Sequence, residues 1–136
     1  MKLLLDVNVL VAVCVDDHEF HKRVATWMNR SARFDRAELM TCAVTELGFL
    51  RVLVQAPSYP FTIEHGVELL SQLKSSKEYR FGFLSDEFGI AQLPRWVRGP
   101  KQITDGHLVE LAKAHGATLA TLDESIPNTM VIPDLR

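Results

Sequence analysis

Residues 2–15 read KLLLDVNVLVAVCV, an apolar stretch interrupted by a carboxylate at Asp6 and an amide at Asn8. The four residues before Asp6 have the length and composition of a short strand buried on both faces. The β-branched run after Asp6 is compatible with a strand or a helix, and the short turn at Asp6 favours a buried helix. A strand followed so closely by a helix is typical of a parallel α/β fold.

Strand and helix patterns alternate along the rest of the chain. Helical spacing of apolar residues covers four segments: Glu19 to about Asn29, Val44 to Val54, Thr62 to Ser76, and Thr104 to the capping Gly116. Short strand patterns cover Leu39 to Cys42, Tyr79 to Leu84 (nearer a sheet edge), Ala117 to Thr121 and Met130 to Ile132. We therefore predict a three-layer α/β/α sandwich with a mainly parallel central sheet of four to five short strands.

The bulk composition indicates one domain spanning residues 1–136. A chain of this length with 47% hydrophobic residues can fill a single core. Asp6 ends the first apolar run too early for a secretory signal peptide, and no run reaches the roughly 20 apolar residues that span a bilayer. Cys14 and Cys42 lie in apolar stretches, as buried reduced thiols do. We expect a cytoplasmic protein.

Four acidic residues occupy related positions in the predicted elements. Asp6 and Asp123 follow strands, whereas Glu46 and Asp105 lie early in helices. The functional crevice of an open parallel sheet lies beyond the carboxyl ends of its strands, so these four carboxylates can converge there. Clustered carboxylates repel one another and need compensation, and an all-oxygen ligand set suits Mg²⁺ or Mn²⁺. Phosphodiester hydrolysis is the chemistry that such a site supports.

Each acid also has a structural explanation when it is taken alone. Asp6 could be a helix N-cap, Glu46 a solvated helix residue, Asp105 a partner of the helix dipole, and Asp123 the cap of a turn. Their shared placement at strand ends and helix starts favours the common site. If metal neutralises these four acids, 13 of the 17 acidic residues remain against 15 basic ones. The resulting net charge of +2 permits an RNA substrate.

Four short motifs resemble those of the PIN-domain family, and in particular its VapC-type toxins: LLLDVN at 3–8, TELGF at 45–49, ITDGHL at 103–108 and ATLD at 120–123. The resemblance implies a Mg²⁺- or Mn²⁺-dependent endoribonuclease that leaves a 5′-phosphate and a 3′-hydroxyl. It also implies a homodimer and a small antitoxin partner. The family's metal-site acids match Asp6, Glu46, Asp105 and Asp123, and its supporting polar residues match Asn8 and Thr121. The acidic residue Glu124 after the last motif is atypical and is a candidate extra acid.

A basic loop at 94–101 is the candidate RNA contact. It combines three cations with a stackable ring just before Asp105, as grooves for single-stranded RNA do: Arg95, Trp96, Arg98 and Lys101. The alternative is a solvated loop with Trp96 packed down. Among the histidines, His18 and His21 could ligate a transition metal or simply begin a helix, and His107 could touch substrate.

Three other functions stay open on the sequence. The chain could be an RNA-processing PIN nuclease outside a toxin pair. It could be a non-catalytic PIN-like interaction module, which the complete acid set disfavours. It could also be another small parallel α/β enzyme, such as a phosphatase or a phospho-acceptor receiver, but the Asp6-Val7-Asn8 segment fits neither pattern well.

Overall fold

The computed structural model describes residues 1–135 and contains one sheet of five parallel strands. The strands are β1 (Lys2–Leu5), β2 (Glu38–Cys42), β3 (Arg80–Leu84), β4 (Thr118–Thr121) and β5 (Met130–Val131). Their order is β3-β2-β1-β4-β5, with β1 at the centre and β3 at an edge. The predicted parallel sheet is confirmed, as is the edge position of the Tyr79 to Leu84 strand.

Helices cover both faces of this sheet. They are α1 (Val7–Cys14), α2 (His21–Phe34), α3 (Ala43–Gln55), α4 (Ile63–Ser75) and α5 (Ile103–Ala114). Because side chains alternate along a strand, Leu3 and Leu5 enter a core shared with α1 to α4, whereas Leu4 enters a second core shared with α5. The central strand is thus buried on both sides, and the predicted three-layer α/β/α sandwich is confirmed.

Local chemistry determines where the helices begin and end. The Thr62 hydroxyl accepts a hydrogen bond of 3.1 Å from the His65 backbone N–H and caps α4, as predicted. Gly116 adopts a left-handed φ of 68° after α5, which is the predicted capping position. Helix α2 starts at His21 and runs to Phe34, five residues past the predicted end near Asn29. It ends just before Arg36, whose φ of 52° cannot continue a right-handed helix.

The sheet order positions the candidate site. The chain builds the sheet from β1 through β2 to β3 on one side and then adds β4 and β5 on the other. The direction of winding therefore reverses between β1 and β4, where ligands bind in open α/β sheets. Asp6 follows β1 directly, and its backbone N–H donates to the Ala120 carbonyl oxygen of β4 at 2.9 Å.

Two further observations concern the described residues as a whole. No helix within residues 1–135 has the length and apolar character needed to cross a membrane. Cys14 is partly buried and Cys42 fully buried, and both are free thiols.

Candidate active site

Asp6 is held rigidly at the bottom of the crevice. Its side chain is only 6% exposed. One carboxylate oxygen, Oδ1, accepts from the Val7 backbone N–H at 2.8 Å and caps α1, and the other, Oδ2, accepts from the Thr121 hydroxyl at 2.7 Å. Burial raises the pKa of Asp6, the Asp123 charge raises it further, and the two hydrogen bonds oppose this shift. The N-cap role considered from the sequence is thus compatible with a place in the site.

Thr121 joins the end of β4 to the junction of β1 and α1 through one buried hydroxyl group. It donates to Asp6, and it accepts from the Asn8 side-chain amide at 3.2 Å and from the Asp123 backbone N–H at 3.1 Å. The Asn8 carbonyl oxygen in turn accepts from the Leu122 backbone N–H at 3.2 Å. Thr121 and Asn8 therefore fix the position of Asp6 relative to the loop after β4.

Asp105 and Asp123 bring two more carboxylates to the same place. Asp105 lies in the first turn of α5, where burial and the charges of Asp6 and Asp123 raise its pKa to about 6. Asp123 is half-buried, and hydrogen bonds from the Ser125 hydroxyl at 2.6 Å and the Ser125 N–H at 2.9 Å lower its pKa. Asp123 thus caps its turn and also acts electrostatically on the other two acids.

Glu46 is neutralised by partners from other elements. Its Oε2 accepts from the Thr41 hydroxyl and from the Lys74 ammonium, each at 2.6 Å. The Thr41 hydroxyl lies at the end of β2, and Lys74 lies in the last turn of α4. The charges that raise the pKa of Asp105 are those of Asp6 and Asp123, and Glu46 is not among them. The described contacts of Glu46 are instead with Lys74 and Thr41.

The acids of the site are oxygen donors, which are the ligands that a divalent cation such as Mg²⁺ prefers. As the side chains are placed, no three His, Cys, Asp or Glu residues between positions 1 and 135 form a group that could hold a metal ion. Asp6 and Asp105 nevertheless have raised pKa values, and with Asp123 they supply the all-oxygen donors that a hard cation prefers. The donor chemistry of the three aspartates therefore suits such a cation, and the complete four-carboxylate cage stays a prediction.

The start of α5 is pinned by its neighbours. A Cβ atom added to Gly106 would collide with Val97 Cγ2 and lie 3.1 Å from Pro94 Cδ, so the basic loop is seated directly on the helix next to Asp105. On the next residue, His107 Nε2 lies 2.6 Å from Asp86 Oδ2, and both side chains are largely buried. Asp105 therefore projects from a helix end that is fixed on two sides.

The basic loop itself shows a division of roles. Trp96 is half-buried and packs against the α5 core. This agrees with the alternative in which Trp96 is packed down onto the protein. Arg95, Arg98 and Lys101 are exposed. Contact of these cations with RNA stays a prediction.

Histidines 18 and 21 have local roles. His21 is the first residue of α2, and His18 Nδ1 accepts from the Phe20 N–H at 3.0 Å. His21 Nδ1 lies 2.9 Å from the Ala12 carbonyl oxygen. Both belong to the start of a helix, which was one of the two interpretations from the sequence. Glu124 is exposed beside Asp123.

Three residues of the site region were missed by sequence reasoning. Thr41 and Lys74 contact Glu46, and Asp86 contacts His107. Thr41 carried a usable signal, since it is a polar residue near the carboxyl end of a buried strand, as Thr121 is. The Lys74 and Asp86 contacts bridge 28 and 21 residues and depend on how α4 and the loop after β3 pack.

Comparison with known proteins gives a consistent result. The family model described as PIN domain matches residues 3–130. Ribonuclease VapC44 of Mycobacterium tuberculosis is 35% identical over 135 residues, covering 96% of this chain and 92% of the relative. Ribonuclease VapC38 of the same organism is 35% identical over 127 residues, covering 90% and 86%.

Two solved structures share the fold at low sequence identity. One is VapBC2 from Rickettsia felis bound to a DNA fragment from its promoter, with a TM-score of 0.60 and 14% identity, covering 96% of this chain and 97% of that one. The other is VapC20 of M. tuberculosis, a Sarcin-Ricin loop cleaving toxin, with a TM-score of 0.61 and 10% identity, covering 96% and 99%.

Proposed function

This chain belongs to the PIN domain family and, within it, to the VapC ribonucleases of toxin–antitoxin systems; from that premise we propose that it is a Mg²⁺- or Mn²⁺-dependent endoribonuclease. The observation that carries the proposal is the coupling of Asp6, Asp105 and Asp123 where the winding of the sheet reverses. Carboxylates that repel one another at a ligand crevice destabilise the folded chain, and a bound cation would offset that repulsion. Such groups are therefore typical of a functional site.

The residues divide into cation holders and positioning residues. Asp6, Glu46, Asp105 and Asp123 would hold the cation. When bound, the cation would make water acidic enough to supply hydroxide at neutral pH and offset charge on the leaving oxygen. Thr121 and Asn8 keep the Asp6 carboxylate in one orientation, which a metal ligand requires.

The proposed partners follow from the family. We infer RNA as substrate, a small antitoxin protein as inhibitor and a homodimer as the assembly, in the cytoplasm. The VapBC2 assembly from Rickettsia felis supports a partner protein.

The decisive experiment removes the charge of one acid and keeps the hydrogen bond with which it caps α1. Asp6→Asn keeps an oxygen for the Val7 N–H, so we expect a folded protein that has lost at least 100-fold of its cleavage rate on single-stranded RNA. EDTA should stop the wild type, and Mg²⁺ or Mn²⁺ should restore it. Binding is read separately, as an increase in melting temperature with added Mn²⁺ that Asp6→Asn lacks.

The matched control is Asp17→Asn, which changes an exposed aspartate in the turn after α1. It should cleave and bind Mn²⁺ as the wild type does. An Asp6→Asn protein that cuts RNA at the wild-type rate would refute the proposal.

The basic loop is tested independently of the metal site. Arg98→Ala combined with Lys101→Ala should weaken binding of single-stranded RNA and reduce the slope of its salt dependence by about 1.4 for the two charges, while leaving Mn²⁺ binding intact. Unchanged RNA binding in this double variant would exclude the loop as a substrate contact.

A further inference from the structure

A second basic and aromatic site lies beside Glu46 and is formed by α4 and β3, apart in sequence from the 94–101 loop. Lys74 Nζ lies 2.6 Å from Glu46 Oε2 and 5.6 Å from the centroid of the Phe83 ring. We propose that Phe83 and Lys74 form a nucleotide subsite, in which Phe83 stacks on an RNA base and Lys74 binds the adjoining phosphate. This inference rests on the proposed function and specifies how its substrate is held.

The strand register places Phe83 next to the acidic rim. Phe83 pairs with Thr41 across β3 and β2, and the Thr41 hydroxyl donates to Glu46. Paired residues of neighbouring strands point to the same face and lie about 5 Å apart. The aromatic ring therefore stands beside the threonine that orients Glu46, at the carboxyl edge of the sheet.

The exposure of Phe83 is unusual for its position. Phe81, two residues earlier on the same face, packs against the α1 to α4 core, whereas Phe83 is 54% exposed. An aromatic ring that is not used to fill the core, on an edge strand at the rim of a nuclease site, presents surface on which a base can stack.

Lys74 has the charge and the spare donors to bind phosphate. An ammonium group carries three N–H donors, and the hydrogen bond to Glu46 uses one of them. The Lys74 side chain is 31% exposed, so the remaining donors can reach a ligand in solvent. A cation lying near an aromatic ring is the combination with which proteins bind single-stranded nucleic acid without reading its sequence.

The test measures binding in EDTA, where no cleavage occurs. A fluorescein-labelled ten-residue oligouridine is titrated with protein and followed by fluorescence anisotropy. Phe83→Leu should weaken binding about tenfold, and Phe83→Tyr should stay within about twofold of the wild type. Lys74→Met should weaken binding and reduce the salt slope by about 0.7, the value for one phosphate contact on a single strand.

Matched controls remove a similar group elsewhere. Phe34→Leu removes an exposed ring from the end of α2, and Lys77→Met removes an exposed charge from the turn before β3. Both should bind the oligonucleotide as the wild type does. A second readout replaces one uracil with 2-aminopurine, whose fluorescence should be quenched by the wild type and by Phe83→Tyr but not by Phe83→Leu.

The outcomes separate this subsite from the proposed function. If the wild type binds and cleaves RNA while Phe83→Leu and Lys74→Met bind it equally well, the subsite is wrong and the nuclease stands. If the wild type neither binds nor cleaves RNA, both fall. A Phe83→Leu protein with normal RNA binding but an altered mass in sedimentation would assign this ring to a protein contact and overturn the subsite.

Discussion

The Thr121 hydroxyl is hydrogen-bonded to several polar groups of the candidate site. It is completely buried and serves Asp6 and Asn8 at the junction of β1 and α1 and the Asp123 backbone in the loop after β4. A buried polar group that loses its partner costs about 1–3 kcal/mol, because it gave up hydration on folding. Removal of this hydroxyl therefore leaves several groups unsatisfied at once.

Thr121→Val should destabilise the protein by roughly 2–3 kcal/mol, since the shape is kept but the hydrogen bonds to Asp6 and Asn8 are lost. Thr121→Ser keeps the hydroxyl and should cost about 1 kcal/mol for one buried methyl group. Urea denaturation measures both. Equal destabilisation by the two variants would contradict the role given to the hydroxyl.

Cys14 should be unreactive in the folded protein. Burial raises the pKa of its thiol to about 12, and the nearby Asp16 carboxylate adds to the shift, so very little thiolate exists at pH 8. A disulfide-exchange reagent should modify Cys14 at least tenfold more slowly in native protein than in urea, as measured by mass spectrometry of the labelled peptides. Labelling of Cys14 at the same rate in both states would contradict this.

At the scale of elements, the contact between the basic loop and α5 depends on the absence of a side chain at Gly106. Alanine is the better helix former by about 1 kcal/mol, but the packed Val97 and Pro94 leave no room for its methyl group. The loop and the helix are therefore joined as one unit that carries Asp105.

Gly106→Ala should displace the loop, with a net loss of about 1 kcal/mol in stability. Trypsin should then cut at Arg95 or Arg98 several-fold faster than in the wild type. Adding Val97→Ala relieves the clash and should restore part of the protection. Gly106→Ala with unchanged cleavage kinetics would mean that the loop is held by other contacts.

The elements themselves could largely be predicted from the sequence, because apolar periodicity and caps such as Thr62 and Gly116 act locally. The end of α2 was missed because residues 30–34 carry no breaker, and the helix ends only at the left-handed Arg36. In the candidate site, Asp6 could be placed because it directly follows a strand, whereas Asn8 and Thr121 were matched through the resemblance to the PIN-domain family. The pairing of Glu46 with Lys74 could not, since it depends on how α4 packs on α3.

At the scale of the whole molecule, the candidate site makes stability depend on pH. The folded chain raises the pKa of Asp105 from 3.8 to about 6, mainly by burial and then by the charges of Asp6 and Asp123. The folded state thus binds this proton more tightly than the unfolded state. Without metal, the free energy of unfolding should therefore fall as pH rises from about 4 to about 6.

The measurement compares Asp105→Asn with the wild type in EDTA. The neutral variant lacks this penalty, so its melting temperature relative to the wild type should rise by roughly 2–4 °C between pH 4 and pH 7, a modest effect because Asp105 is partly solvated. Asp17→Asn is the control for loss of an exposed aspartate. Melting temperatures of Asp105→Asn and wild type that change in parallel across this range would contradict the proposed coupling.

The hydrogen bond from Thr121 to Asp6 joins residues 115 positions apart, and it has a consequence for synthesis. A polypeptide still growing on the ribosome has Asp6 from the start but lacks β4, which forms one whole side of the crevice. Long-range parallel pairing of this kind forms late in folding. We therefore expect the crevice to stay incomplete during translation until β4 has been synthesised and has paired with β1.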